Sequence, residues 1–125
     1  MNDEVIAKIV SNIQETKISM PKEIDINSFK FNVVSEDRPI ITDYTLLDGL
    51  IDFDTMQITL NCKRAEEAIK FTLAHEIIHA IIRDYGLHKI IDKETGEKLC
   101  DALGKGIIRL IRNNKELIKY FEEVI

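Results

Sequence analysis

The 125-residue chain is poor in several residue types, and each shortage narrows what it can be. It has no tryptophan, two prolines and five glycines, so long disordered tracts are not expected. No apolar run approaches the roughly 20 residues that span a bilayer. The first fifteen residues carry acids where a secretory signal carries a basic start. We therefore expect a cytoplasmic protein without a membrane partner, built as one domain over residues 1–125.

Cysteine and positive charge are also scarce. Cys62 and Cys100 are the two cysteines, and both are expected to be free thiols in a reducing compartment, with a disulfide between them as the lesser alternative. The formal net charge is −5, from 17 basic and 22 acidic residues. This balance argues against nucleic acid as a partner, and we expect a monomer.

The order of the hydrophobic patterns predicts an α+β fold with a small antiparallel or mixed sheet. Apolar residues have helical spacing in four segments: 3–14, 64–85, 96–112 and 115–124. Gly86 is placed to end the second of these helices. Strand patterns occupy 29–35 and, as two strands joined by a turn at Asp54-Thr55, 46–60. Residues 37–43 are expected to form a loop or an edge segment, and 87–95 a connection.

The most apolar part of the chain contains three polar residues, in the sequence AHEIIHA at 74–80. His75 and His79 are two of the chain's three histidines, and because they are four residues apart they share one face of a helix. Glu76 lies about 100° round that helix. A helix that is apolar on nearly every side is a buried helix. Two imidazoles and a carboxylate would be costly to bury there without partners.

This spacing is the H-E-x-x-H motif, which predicts a zinc site with His75 and His79 as ligands and Glu76 as general base. A metal-bound water has a lowered pKa, and the glutamate removes its proton as it attacks a carbonyl. The alternative is that the histidines are hydrogen-bonded core residues and Glu76 is a buried acid paired with a base. A tetrahedral zinc still needs a third protein ligand. The metzincin continuation is excluded because Ile82 and Tyr85 stand at its glycine and histidine positions.

Three stretches together carry a resemblance to a known group of proteins: HEIIHAII, GLH and EKLCDALGKGIIRLIRNN. They resemble the small zincin-like metallopeptidases encoded by phages and prophages of Gram-positive bacteria, which are similar to ImmA/IrrE-type and other minimal gluzincin domains. The resemblance covers residues 46–113. It implies a zincin-like core of a small sheet, an active-site helix and a following ligand helix. It also implies an edge strand, fitted by residues 56–60, to which an extended substrate would add by β-augmentation.

The resemblance also implies the remaining site residues. Glu97, on the following helix, matches the third zinc ligand of the gluzincins, and Asp101 matches the carboxylate that orients His75. Gly104 lies close to the same side of that helix and would let it approach the zinc helix closely. Three residues remain as rival ligands: His88, Glu94 and Cys100. His88, Tyr85 and Tyr44 are candidates for contacts to the transition state, or else surface and packing residues.

The sequence therefore predicts a zinc-dependent peptidase that acts on a peptide or protein. One alternative is a zinc-binding interaction module of the same fold that does not turn over substrate. The other is a metal-free scaffold or interaction protein. The intact Glu76 favours catalysis, because a purely structural zinc needs no general base.

Overall fold

The computed structural model describes residues 2–7 and 19–124. Within them the chain has the expected α+β composition, with two small sheets and four helices. The strands are β1 (Glu23–Ile26), β2 (Phe29–Glu36), β3 (Ile40–Thr42), β4 (Thr45–Leu47), β5 (Gly49–Asp52) and β6 (Gln57–Asn61). The helices are α1 (3–7), α2 (Glu66–Asp84), α3 (Lys93–Asn113) and α4 (Lys115–Glu122), with a 3₁₀ turn at Leu87–Lys89. The rest of the helix predicted over 3–14 lies largely outside the described residues.

The larger sheet has the strand order β1-β2-β6-β5, with β2 and β6 parallel and the outer pairs antiparallel. β3 and β4 form a separate hairpin, so the segment predicted as a loop or an edge contains a short strand. Asp43 and Tyr44 make its two-residue turn with φ of 44° and 65°. Positive φ at both positions is typical of the turn that matches the twist of hairpin strands.

The prediction that residues 56–60 form an edge strand is wrong. β6 lies between β2 and β5, and β5 is the strand that ends the sheet on that side. Ile58 and Leu60 are completely buried, as expected for a strand with a neighbour on each side. Alternating hydrophobicity marks a strand but does not identify its neighbours, which is why the sequence misplaced the edge.

The antiparallel pairing of β5 with β6 agrees with the predicted strand pair, but the connection is longer than the predicted Asp54-Thr55 turn. Residues 53–56 all lie in the turn. The Asp52 carboxylate accepts the backbone N–H groups of Asp54 at 2.9 Å and Thr55 at 3.2 Å. An aspartate that bonds the backbone two residues further on stabilises such a turn, and it explains why the first strand ends early.

α2 packs across the sheet and carries the candidate motif. Every residue from 71 to 82 is at least partly buried, as the apolar pattern predicted. Its Ala80 packs in the buried core with four side chains of the sheet, Phe31, Val33, Ile58 and Leu60. The helix ends where predicted, because Gly86 adopts the left-handed conformation with φ of 73°.

α3 begins three residues earlier than predicted. The Asp92 carboxylate accepts the backbone N–H of Thr95 at 2.7 Å and caps the first turn. Glu94 therefore lies inside the first turn of α3, whereas the sequence placed it before the helix. Its carboxylate pairs with Lys98 at 3.2 Å, and both side chains are exposed.

α3 runs antiparallel to α2, so its start lies beside the histidines and its end beside the start of α2. Arg112 donates to both oxygens of Glu67, at 2.6 and 2.8 Å, which fixes the far end. Gly104 lets α3 approach α2 closely beside the histidines, because a Cβ at this position would lie only 3.0 Å from the backbone nitrogen of His75. The close helix approach predicted at this glycine is confirmed.

Cys62 is half-buried and Cys100 is buried, and both are free thiols, as expected. None of the helices in the described ranges is both long and apolar enough to cross a membrane.

Candidate metal centre

A cleft of about 650 Å³ runs along α2, between the β4–β5 segment and α3. Residues 47–51 form one wall, Glu97, Asp101 and Lys105 form the other, and His75, Glu76 and His79 lie on the floor. The sequence predicted five of the eight charged or histidine residues that line the cleft as site residues. Asp48, Arg64 and Lys105 were not predicted, because a single exposed charge gives no sequence signal.

The two motif histidines converge on Glu97. His75 Nε2 lies 3.0 Å from one carboxylate oxygen of Glu97, and His79 Nε2 lies 3.0 Å from the other. The two rings are 4.9 Å apart between centroids. A neutral imidazole that carries its proton on Nε2 donates a hydrogen bond in this geometry, so Glu97 satisfies both rings where no cation is bound.

The same atoms suit a tetrahedral metal. Zinc bonds to nitrogen and oxygen are 2.0–2.1 Å long, which separates neighbouring ligand atoms by about 3.3 Å. The distance from each ring nitrogen to its nearer carboxylate oxygen, 3.0 Å, is within a few tenths of an ångström of this separation. Two imidazoles and one carboxylate also match an established catalytic ligand set. The residues present therefore fit zinc.

Glu76 lies beside this group and does not take part in its contacts. Its side chain is almost completely buried, with 7% of the residue exposed. Burial, and secondarily the charge of Glu97, raise the pKa of Glu76 to about 7. A carboxyl group with a pKa near neutrality is suited to proton transfer at physiological pH.

Burial also affects His79. It lowers the pKa of this imidazole, against the opposing effect of the Glu97 charge. The neutral form of His79 is thereby favoured, and only neutral imidazole binds a metal. Burial of His79 therefore favours the protonation state that can bind a metal.

Of the three rival ligands, Cys100 lies beside the histidines. It is completely buried, and its sulfur forms a cluster with ring nitrogens of His75 and His79, all within 4.8 Å of one another. Burial, then the charges of Glu97 and Glu76, raise the pKa of the thiol to about 12. The sequence offered a signal for this position, since Cys100 stands three residues after Glu97 and shares its helix face.

Asp101 is near His75 but is not bonded to it. Its carboxylate lies 3.9 Å from His75 Nδ1, which is too long for a hydrogen bond. The nearest partner of Asp101 is Lys105, at 3.1 Å. The orienting contact expected from the resemblance is therefore not made in this structure, although the two groups face each other.

The other predicted candidates are not brought to the cleft. Tyr44 is fully exposed at the tip of the β3–β4 hairpin, and Tyr85 is 71% exposed after the end of α2. His88 lies in the 3₁₀ turn and Glu94 pairs with Lys98. None of these four is among the described residues that line the cleft.

A glycine sets the width of the cleft beside Glu76. A Cβ at Gly49 would lie 2.4 Å from Thr72 Cγ2 and 3.4 Å from a carboxylate oxygen of Glu76. The first distance is shorter than any van der Waals contact. Only glycine at this position lets the free edge of β5 lie directly beside the buried carboxylate.

Comparisons of this chain with protein-family models, with curated proteins and with solved structures found no match. The function is therefore argued from the chemistry of the site.

Proposed function

We propose that this protein is a zinc-dependent peptidase, similar to the minimal gluzincin metallopeptidases of phages and prophages. One observation carries the proposal: the Nε2 atoms of His75 and His79 meet the two oxygens of Glu97 at 3.0 Å, with the buried Glu76 in the same cleft. Core histidines would need only one hydrogen-bond acceptor each. They would not need a second, buried carboxylate beside them.

In this proposal His75, His79 and Glu97 hold the zinc, and Glu76 is the general base. Bound zinc polarises a carbonyl and lowers the pKa of water toward neutrality. The Glu76 carboxylate takes the proton from the attacking water and passes it to the departing amine. Burial, which raises the pKa of Glu76 to about 7 in the metal-free protein, makes its carboxylate a stronger base than that of an exposed glutamate. The low polarity around it strengthens these interactions.

The substrate of this activity is an extended peptide bound to the edge of β5. Asn61 donates its backbone N–H to Asp48 at 2.8 Å, and bonded and non-bonded pairs alternate along an antiparallel ladder. Gly49 and Ile51 therefore direct their backbone N–H and C=O groups away from β6, along the edge that pairs with no other described strand and borders the cleft. A peptide strand added there would present its carbonyl groups beside Glu76.

The second candidate is a zinc-binding module of the same fold without turnover, and Cys100 is the observation that favours it. Its sulfur lies within 4.8 Å of ring nitrogens of His75 and His79, and Glu97 contacts the same two rings, so the chain offers up to four ligands. A zinc with four protein ligands has no open position and is structural.

Zinc analysis and a cleavage screen test the proposal together. Protein purified with zinc present is expected to hold one equivalent, and Glu97→Ala is expected to bind zinc more weakly. Glu94→Ala is the matched control, because Glu94 is an exposed acid on the same helix that pairs only with Lys98 among the contacts described. A zinc content near zero in the unmodified protein would leave the metal-free interaction protein as the remaining reading.

Cleavage of an unbiased peptide library distinguishes the two zinc readings. The unmodified protein is expected to cleave, and Glu76→Gln is expected to keep its zinc and lose cleavage by several orders of magnitude. Full zinc with no cleavage of any peptide would support the silent module. Full activity in Glu76→Gln would refute the assignment of the base.

A further inference from the structure

Two cationic side chains line the cleft on the side away from the histidines, Lys105 and Arg64. Glu97, Asp101 and Lys105 are spaced four residues apart, so they follow one face of α3 away from the histidines. Beyond them, the Arg109 guanidinium lies over the Phe71 ring at 5.7 Å. Arg64 lines the cleft before the start of α2. Glu97 and Asp101 thus lie toward the histidines, and Lys105 and Arg64 lie toward the start of α2, where Asp48 pairs with Arg64.

We propose that Lys105, with Arg64 as a second cation, binds a carboxylate of the peptide substrate. This inference rests on the proposed peptidase function and adds a substrate class to it. The carboxylate is an acidic side chain or the C-terminal carboxylate, on the side of the scissile bond that lies over the first half of α2.

Both cations are free to exchange their present partners. Lys105 pairs with Asp101 at 3.1 Å within one helix face, and Arg64 pairs with Asp48 at 3.6 Å. All four side chains are between 42% and 60% exposed. Exposed pairs of this kind contribute little to stability, so a substrate carboxylate can recruit the cations with little loss.

The position of Lys105 limits where the carboxylate lies. Contacts of 3.1 and 3.9 Å link its ammonium group, through the Asp101 carboxylate, to the ring of His75. An extended peptide advances about 3.3 Å per residue, so the carboxylate belongs to a residue within about three positions of the scissile bond.

The cleft between the histidines and Arg64 also has apolar side chains. Leu47, Ala68 and Phe71 line it, and Leu47 and Phe71 are only partly buried and offer side-chain surface to a ligand. The preferred substrate is therefore a peptide with an apolar side chain next to the scissile bond and a carboxylate just beyond it.

Paired peptides test this inference in the zinc-loaded protein. In the first set of pairs, one peptide has Glu and the other has Gln at one of the three positions on either side of the cleaved bond. A second pair differs by a free or amidated C-terminus, which separates the two sources of the carboxylate. We expect kcat/KM to favour the charged member of one pair by about tenfold, since a charge-assisted hydrogen bond is lost with it.

Variants of Lys105 test whether this residue causes the preference for a carboxylate. Lys105→Met is expected to bring the ratio within each pair close to one, and Lys105→Arg to restore it. Lys98→Met is the matched control, because Lys98 also lies on α3 and pairs with Glu94 four residues before it, at 3.2 Å, but does not line the cleft. The ratio of the two kcat/KM values does not depend on zinc content, because both peptides of a pair are cleaved by the same protein preparation. A ratio near one in the unmodified protein, or an unchanged ratio in Lys105→Met, would overturn the inference while cleavage itself upheld the peptidase.

Binding of the same peptides separates the inference from the function on which it rests. Zinc-loaded Glu76→Gln protein is titrated into labelled peptides and fluorescence anisotropy is measured. A carboxylate preference in binding that Lys105→Met removes would uphold the inference even where the unmodified protein cleaves nothing. Equal binding of charged and uncharged peptides would overturn it.

Discussion

Replacing Gly104 with alanine is expected to separate α3 from α2 at the candidate metal centre. The added Cβ would lie 3.0 Å from the His75 nitrogen, 3.1 Å from the Ala74 carbonyl carbon and 3.3 Å from the Ala74 Cβ. Backbone atoms cannot rotate away, so the helices must move apart by a few tenths of an ångström. Overpacking of this kind costs about 1–3 kcal/mol. Alanine returns about 1 kcal/mol through its higher helix propensity, so we expect a net loss of up to about 2 kcal/mol.

The same displacement should weaken zinc binding, because Glu97 lies two turns away on α3 and moves with it. Gly106→Ala is the matched control, since a Cβ there meets nothing within 4 Å, and it is expected to stabilise the protein by about 0.5–1 kcal/mol. Denaturant unfolding of the metal-free variants measures the first effect, and titration against a competing chelator measures the second. Equal stabilisation by both alanines, with unchanged zinc affinity, would refute the close approach of the two helices.

Three further predictions follow from the same region. Because the pKa of Glu76 is raised to about 7 from 4.5, the stability of the metal-free protein should fall by up to about 3 kcal/mol as pH rises from about 4 to 8; Glu76→Gln should flatten this dependence in unfolding experiments. Gly49→Ala should lower the free energy of unfolding by about 1–3 kcal/mol. Adding Thr72→Ser to that variant removes the methyl group that the new Cβ meets, and it should recover most of the loss. The raised thiol pKa predicts that Cys100 resists alkylation at pH 8, so Cys62→Ser should abolish fast labelling.

Much of the fold follows from local patterns, and the exceptions have a common cause. The long helix, its end at Gly86 and the β5–β6 pairing depend on periodicity and on one glycine, which are readable from the sequence. The edge of the sheet depends on which strands pair across the chain, and β2 pairs with β6 from 25 residues away. β1 was missed altogether, because its four residues are too few to show a period.

The candidate site shows the same division. His75, Glu76 and His79 were predictable because a single turn of helix fixes their relation. Glu97 came from the resemblance, and the structure brings its carboxylate to both histidines. Lys105 enters through the antiparallel packing of α3 on α2, and the same packing brings Cys100, a rival ligand in the sequence, beside the histidines. The sequence indicated the close approach at Gly104, but the Arg112–Glu67 pair joins residues 45 positions apart and gives no local signal.

The choice between an open and a closed zinc site is a competition between Cys100 and a vacant coordination position. A thiol must lose its proton to bind zinc, and burial together with two neighbouring carboxylates opposes that loss, raising its pKa to about 12. The half-exposed Glu97 already contacts both histidines. Glu97 therefore has the advantage as third ligand. Zinc must displace the thiol proton to recruit Cys100, so a closed site should become more favourable as the pH rises, and unchanged zinc affinity in a Cys100→Ser variant would support the open site of the peptidase.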